Sequence, residues 1–164
     1  IGDVADAGRW LVSQGIADPS KLAIVGWSYG GYAALQSAVV EPSLFKAVVA
    51  IAPVTDLEML KDEFRGWTNH ALTSKFIGQG AHVREGSPAE NASLITAPVM
   101  LFHGTHDRNV DVKQSQRMAS RLKSAGKRVD LVTYADLDHS LPDSRVRADL
   151  HRRSDQFLKA SFAK

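Results

Sequence analysis

A serine between glycines is the feature of this sequence that most directly suggests chemistry. The motif GWSYG at 26–30 has the spacing G-x-S-x-G, follows the apolar run 22–25 and precedes a helix-forming stretch. This is the setting of a nucleophile elbow, in which a strand turns sharply into a helix and holds a serine at the tip. Glycines suit the turn because, without a Cβ, they let strand and helix pass closely. Ser28 is therefore the predicted nucleophile, and an ordinary strand–helix turn is the alternative.

A serine hydroxyl needs a neighbouring base to become nucleophilic. In folds with this elbow the chain order is serine, acid, histidine, and only His139 and His151 come late enough. His151 lies among arginines in a predicted terminal helix, where a solvated surface role is favoured. His139 follows the last predicted strand, at the sheet edge where α/β proteins bind ligands. His139 is therefore the predicted base.

The acid that orients the base is predicted to be Asp107. It follows the strand at 99–103 by one short turn, so its loop lies at the same sheet edge as the elbow. Asp136 and Asp138 compete, but carboxylates so close in sequence to His139 usually cannot fold back onto its ring. The backbone N–H of Tyr29 is one predicted oxyanion donor. A second oxyanion donor normally comes from a loop after an earlier strand of the sheet. We expect this chain to lack that strand and its loop.

An α/β fold is needed to bring these residues together. Apolar runs alternate with helical patterns, which favours a parallel sheet of about four strands flanked by helices. We expect one partial domain over 1–164, with a pocket or lid insertion at about 55–95. That insertion begins as a helix capped by Asp56 and then shows no sustained period, which predicts irregular backbone. The predicted strands are 22–25, 47–51, 99–103 and 129–134.

The composition excludes several classes of function. The 164 residues contain no cysteine, which excludes disulfides, thiol catalysis and cysteine-ligated metals but leaves the compartment open, cytoplasmic or periplasmic. Basic residues are scattered and the formal net charge is only +2, so neither nucleic acid nor a membrane is an expected partner. His103 and His106 beside Asp107 superficially suggest metal ligands, but the predicted acid role of Asp107 argues against a metal. No cofactor is expected.

Four segments spread along most of the chain carry a family resemblance. They are GWSYGGY at 26–32, APVTD at 52–56, HGTHDRNV at 103–110 with QS at 114–115, and YADLDH at 134–139. These segments resemble the catalytic domain of the prolyl oligopeptidase family of serine peptidases, which have an α/β-hydrolase fold. The dipeptidyl-peptidase IV and acylaminoacyl-peptidase branches look most similar. Ser140 stands where that family usually has glycine.

The resemblance implies Ser28 as nucleophile, Asp107 as acid and His139 as base. It also implies that Asn109 hydrogen-bonds a substrate carbonyl, with loop capping as the alternative. Leu57 and Leu60 stand where the dipeptidyl-peptidase branch has aromatic side chains, which weakens any expectation of strict proline specificity. The side chains implied to line the pocket for the residue before the scissile bond are Tyr29, Val54 and Val110, with core packing as the alternative for the two valines.

The implied function is hydrolysis of short peptides through an acyl-enzyme. A carboxylesterase using the same three residues is one alternative, and a non-catalytic half-domain that acts by assembly is another. The resemblance also implies that this chain is the C-terminal half of the catalytic domain. The strand Leu22–Val25 would then be an unpaired edge, covered by the missing half or by a second copy in a homodimer.

Overall fold

A four-stranded parallel sheet organises the molecule. The computed structural model describes residues 1–163, and its strand order is β1-β2-β3-β4. The predicted parallel sheet of about four strands, flanked by helices, is confirmed. The strands are β1 (Ala23–Trp27), β2 (Ala47–Ile51), β3 (Val99–Gly104) and β4 (Val129–Tyr134). The helices are α1 (Gly2–Ser13), α2 (Tyr29–Val40), α3 (Leu57–Glu63), α4 (His70–Ile77), α5 (Ala81–Glu85), α6 (Lys113–Ser124) and α7 (Ser144–Phe162), and a 3₁₀ turn spans Ala92–Leu94.

The sheet is covered on both faces, as the apolar composition of its strands predicts. Every residue of β2 and β3 is buried, and successive residues of each strand enter opposite cores. The core on the side of α2 and α6 includes Leu35, Val48, Leu101, Met118 and Leu122. The core on the side of α7 includes Val49, Met100, Phe102, Leu150 and Phe157. No helix within residues 1–163 is long and apolar enough to cross a membrane.

Strand β1 lies at one edge of the sheet. It pairs only with β2 among the described residues, in the register Ala23 to Ala47 through Trp27 to Ile51. None of its residues is fully buried, and Val25 remains 55% exposed. The unpaired backbone groups of such an apolar edge strand can pair with a further strand, which would extend the sheet.

The segment after β2 is more regular than its sequence suggests. Asp56 caps α3 as predicted, and its side chain accepts hydrogen bonds from the backbone of Glu58 and Met59, both at 3.0 Å. Residues 70–85, however, form α4 and α5 instead of the irregular backbone expected there. These helices have only eight and five residues. Helices this short cannot display a sustained apolar period, so their pattern was not visible.

The crossing of β1 and α2 requires glycine at one position. A Cβ at Gly26 would overlap the backbone carbonyl of Gly30 and would lie 2.8 Å from the backbone nitrogen of Gly31. A Cβ at Gly30, by contrast, would meet nothing within 4 Å. The first glycine of the motif therefore permits the close crossing that holds Ser28 at the turn.

We predict that Gly26→Ala and Gly30→Ala differ sharply in stability. Gly26→Ala forces backbone against backbone and should lower the free energy of unfolding by about 3 kcal/mol or more. Gly30→Ala fills open space inside a helix and should be neutral or stabilising by up to about 1 kcal/mol. Urea denaturation of the two variants measures the difference. Equal losses would contradict the proposed close crossing.

Candidate active site

Ser28 occupies a strained turn between β1 and α2. Its φ is 57° and its ψ is −119°, in the left-handed half of conformational space that side chains other than glycine rarely adopt. Two backbone hydrogen bonds fix it: Ser28 N donates to Ile51 O at 2.8 Å, and Tyr32 N donates to Ser28 O at 3.0 Å. Its hydroxyl makes no hydrogen bond within residues 1–163. The strain is thus held by the neighbouring strand, and the hydroxyl is left available.

Asp107 and His139 are joined directly. The Nδ1 of His139 lies 2.6 Å from Oδ2 of Asp107, whose side chain is fully buried. The other carboxylate oxygen accepts hydrogen bonds from the backbone N–H groups of Asn109 at 2.8 Å and Val110 at 2.9 Å. Because a carboxylate can only accept, Nδ1 carries the proton and Nε2 is left as an acceptor.

The carboxyl of Asp107 is kept ionised. Burial raises its pKa, but hydrogen bonds from two imidazoles and two backbone amides outweigh burial and hold that pKa below its usual range. A buried carboxylate that accepts from every side can stabilise a positive charge on a neighbouring imidazole.

The two competing carboxylates have other partners. Asp138 accepts hydrogen bonds from the backbone and the hydroxyl of Ser140, at 2.9 and 2.7 Å. Asp136 is exposed and lies 3.3 Å from the Nδ1 of His106. Ser140 therefore binds Asp138 in the turn after His139. Neither carboxylate is hydrogen-bonded to His139.

The loop at 135–143, between β4 and α7, carries His139 and is called the histidine loop. A tryptophan attaches it to the turn that holds Ser28. The indole Nε1 of Trp27 donates to the backbone carbonyl of His139 at 3.1 Å. Arg147 of α7 lies over the Trp27 ring at 6.0 Å and donates to the carbonyls of Ser140 and Leu141, both at 2.9 Å. His139 is thus held beside the residue that precedes Ser28. His151, the alternative base, lies exposed on α7.

Backbone strain is concentrated at this edge. Among the described residues, the non-glycine positions with positive φ are Ser28, Ala52, Asp136 and Leu141. One follows β1, one follows β2 and two follow β4. Such conformations cost about 1–3 kcal/mol each and cluster at functional sites. Their position supports a functional role for the edge at which Ser28, Asp107 and His139 lie.

A mostly apolar pocket of about 490 Å³ opens beside Ser28. It includes all four residues that the sequence suggested for substrate binding. No charged side chain lines it. Its lining residues are Ser28, Tyr29, Tyr32, Val54, Leu57, Leu60, Phe64, Thr73, Phe76, Ile77, Asn109 and Val110.

Sequence reasoning missed part of this pocket wall. Phe64 continues the α3 face of Leu57 and Leu60 at helical spacing, so the pattern was available to find it. Thr73, Phe76 and Ile77 share one face of α4, a helix too short to be recognised. Phe76 is 90% exposed at the pocket mouth. The insertion therefore contributes an apolar wall to the pocket.

The N-terminus of α2 lies next to Ser28. The backbone N–H of Tyr29 has no hydrogen-bond acceptor within residues 1–163, and the Tyr29 ring is largely exposed. Helix N-termini favour negative charge because their first N–H groups are unpaired.

Residues 1–163 contain no group of three or more histidine, cysteine, aspartate or glutamate side chains that could hold a metal ion.

Comparison with known proteins assigns the chain to a family. The model of the prolyl oligopeptidase family matches residues 1–164. The chain belongs to this family. It is 26% identical to dipeptidyl peptidase 4 from Bos taurus over 170 residues, which are 99% of this chain and 21% of that relative. The family resemblance inferred from the sequence motifs is confirmed.

Solved structures show the same fold. The chain matches dipeptidyl peptidase 4 from Porphyromonas gingivalis with a TM-score of 0.81 and 26% identity, over 97% of this chain and 22% of that one. It also matches an acylaminoacyl peptidase from Pyrococcus horikoshii with a TM-score of 0.82 and 23% identity, over 95% of this chain and 26% of that one. These matches confirm the α/β-hydrolase fold. The chain spans about a fifth to a quarter of the proteins it matches.

We predict that Asp107 makes stability depend on pH in the acid range. Its folded-state pKa is lowered, so the ionised carboxylate stabilises the fold above the unfolded value of about 3.9. This contribution is lost as the pH falls through the folded-state pKa. Asp107→Asn should therefore be less stable than wild type at neutral pH, and the difference should shrink below about pH 4.

Urea denaturation at a series of pH values measures this difference. Asp136→Asn is the matched control, because that carboxylate is exposed at the same sheet edge. It should differ little from wild type throughout. A stability difference for Asp107→Asn that stays constant into the acid range would contradict the lowered pKa.

Proposed function

We propose that this family member is a serine peptidase in which Ser28 is the nucleophile, His139 the general base and Asp107 the acid. The observation that carries the proposal is the 2.6 Å hydrogen bond between His139 and a buried Asp107, at the sheet edge where Ser28 sits in a strained turn. Catalytic hydrogen bonds to the nucleophile are often formed only with substrate bound, so the unpaired Ser28 hydroxyl is compatible with this role.

The proton movements follow from the tautomer of His139. With Nδ1–H bonded to Asp107, the Nε2 accepts the proton of Ser28 as its oxygen attacks the scissile carbonyl. The resulting imidazolium is stabilised by Asp107 and then donates its proton to the leaving amine. Water repeats the sequence on the acyl-enzyme: His139 takes a proton from the water and returns one to Ser28, which releases the carboxylic acid.

The negative charge on the tetrahedral intermediate needs hydrogen-bond donors. The backbone N–H of Tyr29 is the donor we propose within this chain, since it is unpaired among the described residues and begins α2. A second donor is proposed to lie outside the chain, in the segment or second copy that covers β1. The half-exposed β1 edge and the partial coverage of the matched relatives support this placement. A homodimer through β1 is one form of that arrangement.

We propose that the substrate is a peptide with a large apolar residue before the scissile bond, a proposal supported by the lining of the pocket. Its wall carries leucine, isoleucine, valine and aromatic side chains and no charge, and its volume of about 490 Å³ exceeds what a proline ring requires. We propose that Asn109, which lines the pocket, donates a hydrogen bond to a substrate carbonyl. We propose that Leu57 and Leu60 widen the pocket toward leucine- or phenylalanine-sized side chains.

We predict that Ser28→Ala and His139→Ala each lower kcat/KM by roughly 10⁴-fold or more, and that the double variant is little worse. The three proposed residues act as a unit, which is why their losses should not add. The measurement is hydrolysis of aminoacyl p-nitroanilides by the natural full-length protein. His151→Ala, at the exposed histidine on α7, is the control and should retain activity.

Ester hydrolysis and active-site labelling separate the two alternative functions from a peptidase. Hydrolysis of short p-nitrophenyl esters without hydrolysis of anilides would favour a carboxylesterase. Absence of a fluorophosphonate adduct on Ser28 in folded protein would favour a domain that acts by assembly. Full activity in Ser28→Ala would overturn the proposed nucleophile.

We predict that Leu60→Trp changes selectivity. The larger ring should fill the pocket and lower kcat/KM for a phenylalanyl anilide by about 10-fold or more. A prolyl anilide, whose ring is smaller, should be affected less. Leu72→Trp on the exposed face of α4 is the matched control, because Leu72 does not line the pocket. Equal losses for both substrates would contradict the assignment of Leu60 to the specificity wall.

A further inference from the structure

A second histidine lies behind the proposed acid. His103 sits near the end of β3, four residues before Asp107, and its side chain is fully buried. Its Nε2 lies 2.9 Å from the carbonyl of Val110 and 3.2 Å from Oδ2 of Asp107. Its Nδ1 lies 2.8 Å from the hydroxyl of Ser115 on α6. Both ring nitrogens thus have partners in the core.

The partners fix the direction of these hydrogen bonds. A carbonyl can only accept, so Nε2 carries the proton and donates it to the carbonyl of Val110, while the same N–H edge of the ring faces Oδ2 of Asp107 at 3.2 Å. The oxygen of Asp107 that lies against this N–H is the same Oδ2 that binds His139. His103 therefore lies on one side of that oxygen and His139 on another.

We propose that His103 is a positioning residue for the acid: its Nε2–H holds Oδ2 of Asp107 in the orientation that His139 requires. This inference rests on the proposed function, because it assigns His103 to the machinery of Asp107 and His139. His103 itself touches neither substrate nor the reacting atoms. Through the Ser115 hydroxyl the same chain of contacts ties β3 to α6.

The network around Asp107 shows why a second donor matters. The backbone N–H groups of Asn109 and Val110 hold Oδ1. Oδ2 is held from the solvent side by His139 alone, and His103 is the buried group that lies against the same oxygen. His103 also binds the Val110 carbonyl, so it restrains both the carboxylate and the loop that carries it. A buried imidazole without such partners would lose hydrogen bonds to water and gain none.

The charged groups near His103 are few. Asp107 contacts it directly, and His139 lies across the shared oxygen. From α3, the carboxylate of Glu63 faces the same region, where it accepts hydrogen bonds from Gln114 at 2.8 Å and from the backbone of Asp111 at 3.2 Å. The acid loop is the segment 105–112, between β3 and α6. Because Glu63 is hydrogen-bonded to Gln114 of α6 and to Asp111 of the acid loop, it is not a second hydrogen-bond partner of the His103 imidazole.

The test compares His103→Leu with His103→Gln in the natural full-length protein. His103→Leu removes the donor, and kcat should fall by about 100-fold, as expected when a catalytic group is displaced by about 1 Å. KM should change little, because His103 does not line the substrate pocket. The acid limb of the kcat/KM profile should move to lower pH, since a carboxylate turned away from Nδ1 stabilises the imidazolium less. His103→Gln, which keeps an N–H donor, should recover most of the activity.

Phe102→Leu is the matched control for damage to the core. Phe102 is the neighbouring, equally buried residue of β3, and its ring packs into the opposite core, stacked on Tyr134. It should lose stability without any shift of the pH profile. A kcat loss in His103→Leu with an unmoved pH limb, or a limb that moves to higher pH, would overturn the positioning role. So would full activity in His103→Leu, or a failure of His103→Gln to recover activity.

An NMR measurement tests the role of His103 independently of peptidase activity. The proton between His139 and Asp107 should give a strongly downfield NMR resonance that is weakened in His103→Leu and retained in His103→Gln. This readout does not depend on Ser28, so activity surviving in Ser28→Ala would defeat the proposed function without deciding the role of His103. If His103→Leu does not fold, Ser115→Ala frees Nδ1 and should weaken the same resonance. An unchanged resonance would contradict the inference.

Discussion

The parallel pairing of four strands is the constraint on which this site depends. Parallel strands end at the same edge, and the register carries this through the sheet: Trp27 pairs with Ile51, Ile51 with Phe102, and Gly104 with Tyr134. The elbow, the acid loop and the histidine loop therefore leave the sheet side by side. Trp27 and His139, which are 112 positions apart, are joined by a hydrogen bond because β1 and β4 end at the same edge.

Most of the fold was predictable because the buried strands leave an unambiguous pattern. β2 was predicted with the bounds that the structure has, 47–51, since a short apolar run that is buried on both faces contains no polar interruption. The strands around the site were equally clear. What remained hidden lay in α4 and α5, whose few turns show no period and whose bounds depend on Gly78 and Gly80 in positive-φ conformations.

For the candidate site, the sequence was sufficient to suggest the residues but not the contacts between them. Chain order and placement at strand ends were sufficient to suggest Ser28, Asp107 and His139. The contacts that hold them were not predictable, because they join distant segments. No local pattern indicates that Trp27 binds the carbonyl of His139, or that the His103 side chain turns into the core. A histidine at the end of a buried strand is compatible with a solvent-facing, ligand-binding or core position, and only the fold decides among them.

Backbone strain and rigid support occur together at this edge of the sheet. The sheet edge accommodates a serine in a disfavoured conformation because Ile51 fixes its backbone and Gly26 lets α2 cross β1 closely. The backbone N–H groups of the acid loop donate to the carboxylate of Asp107, and this carboxylate fixes the tautomer of His139. Rigid elements thus supply orientation, and the short helices after β2 supply an apolar wall of the pocket beside Ser28.

The most direct test is a crystal structure of the full-length protein after reaction with a peptidyl phosphonate that carries a phenylalanine-like side chain. The account predicts phosphorus bonded to Oγ of Ser28, the Nε2 of His139 within hydrogen-bond distance of that oxygen, and Asp107 still bonded to Nδ1. It also predicts the aromatic side chain between α3 and α4. An imidazole turned away from Ser28, or phosphorus attached elsewhere, would contradict it.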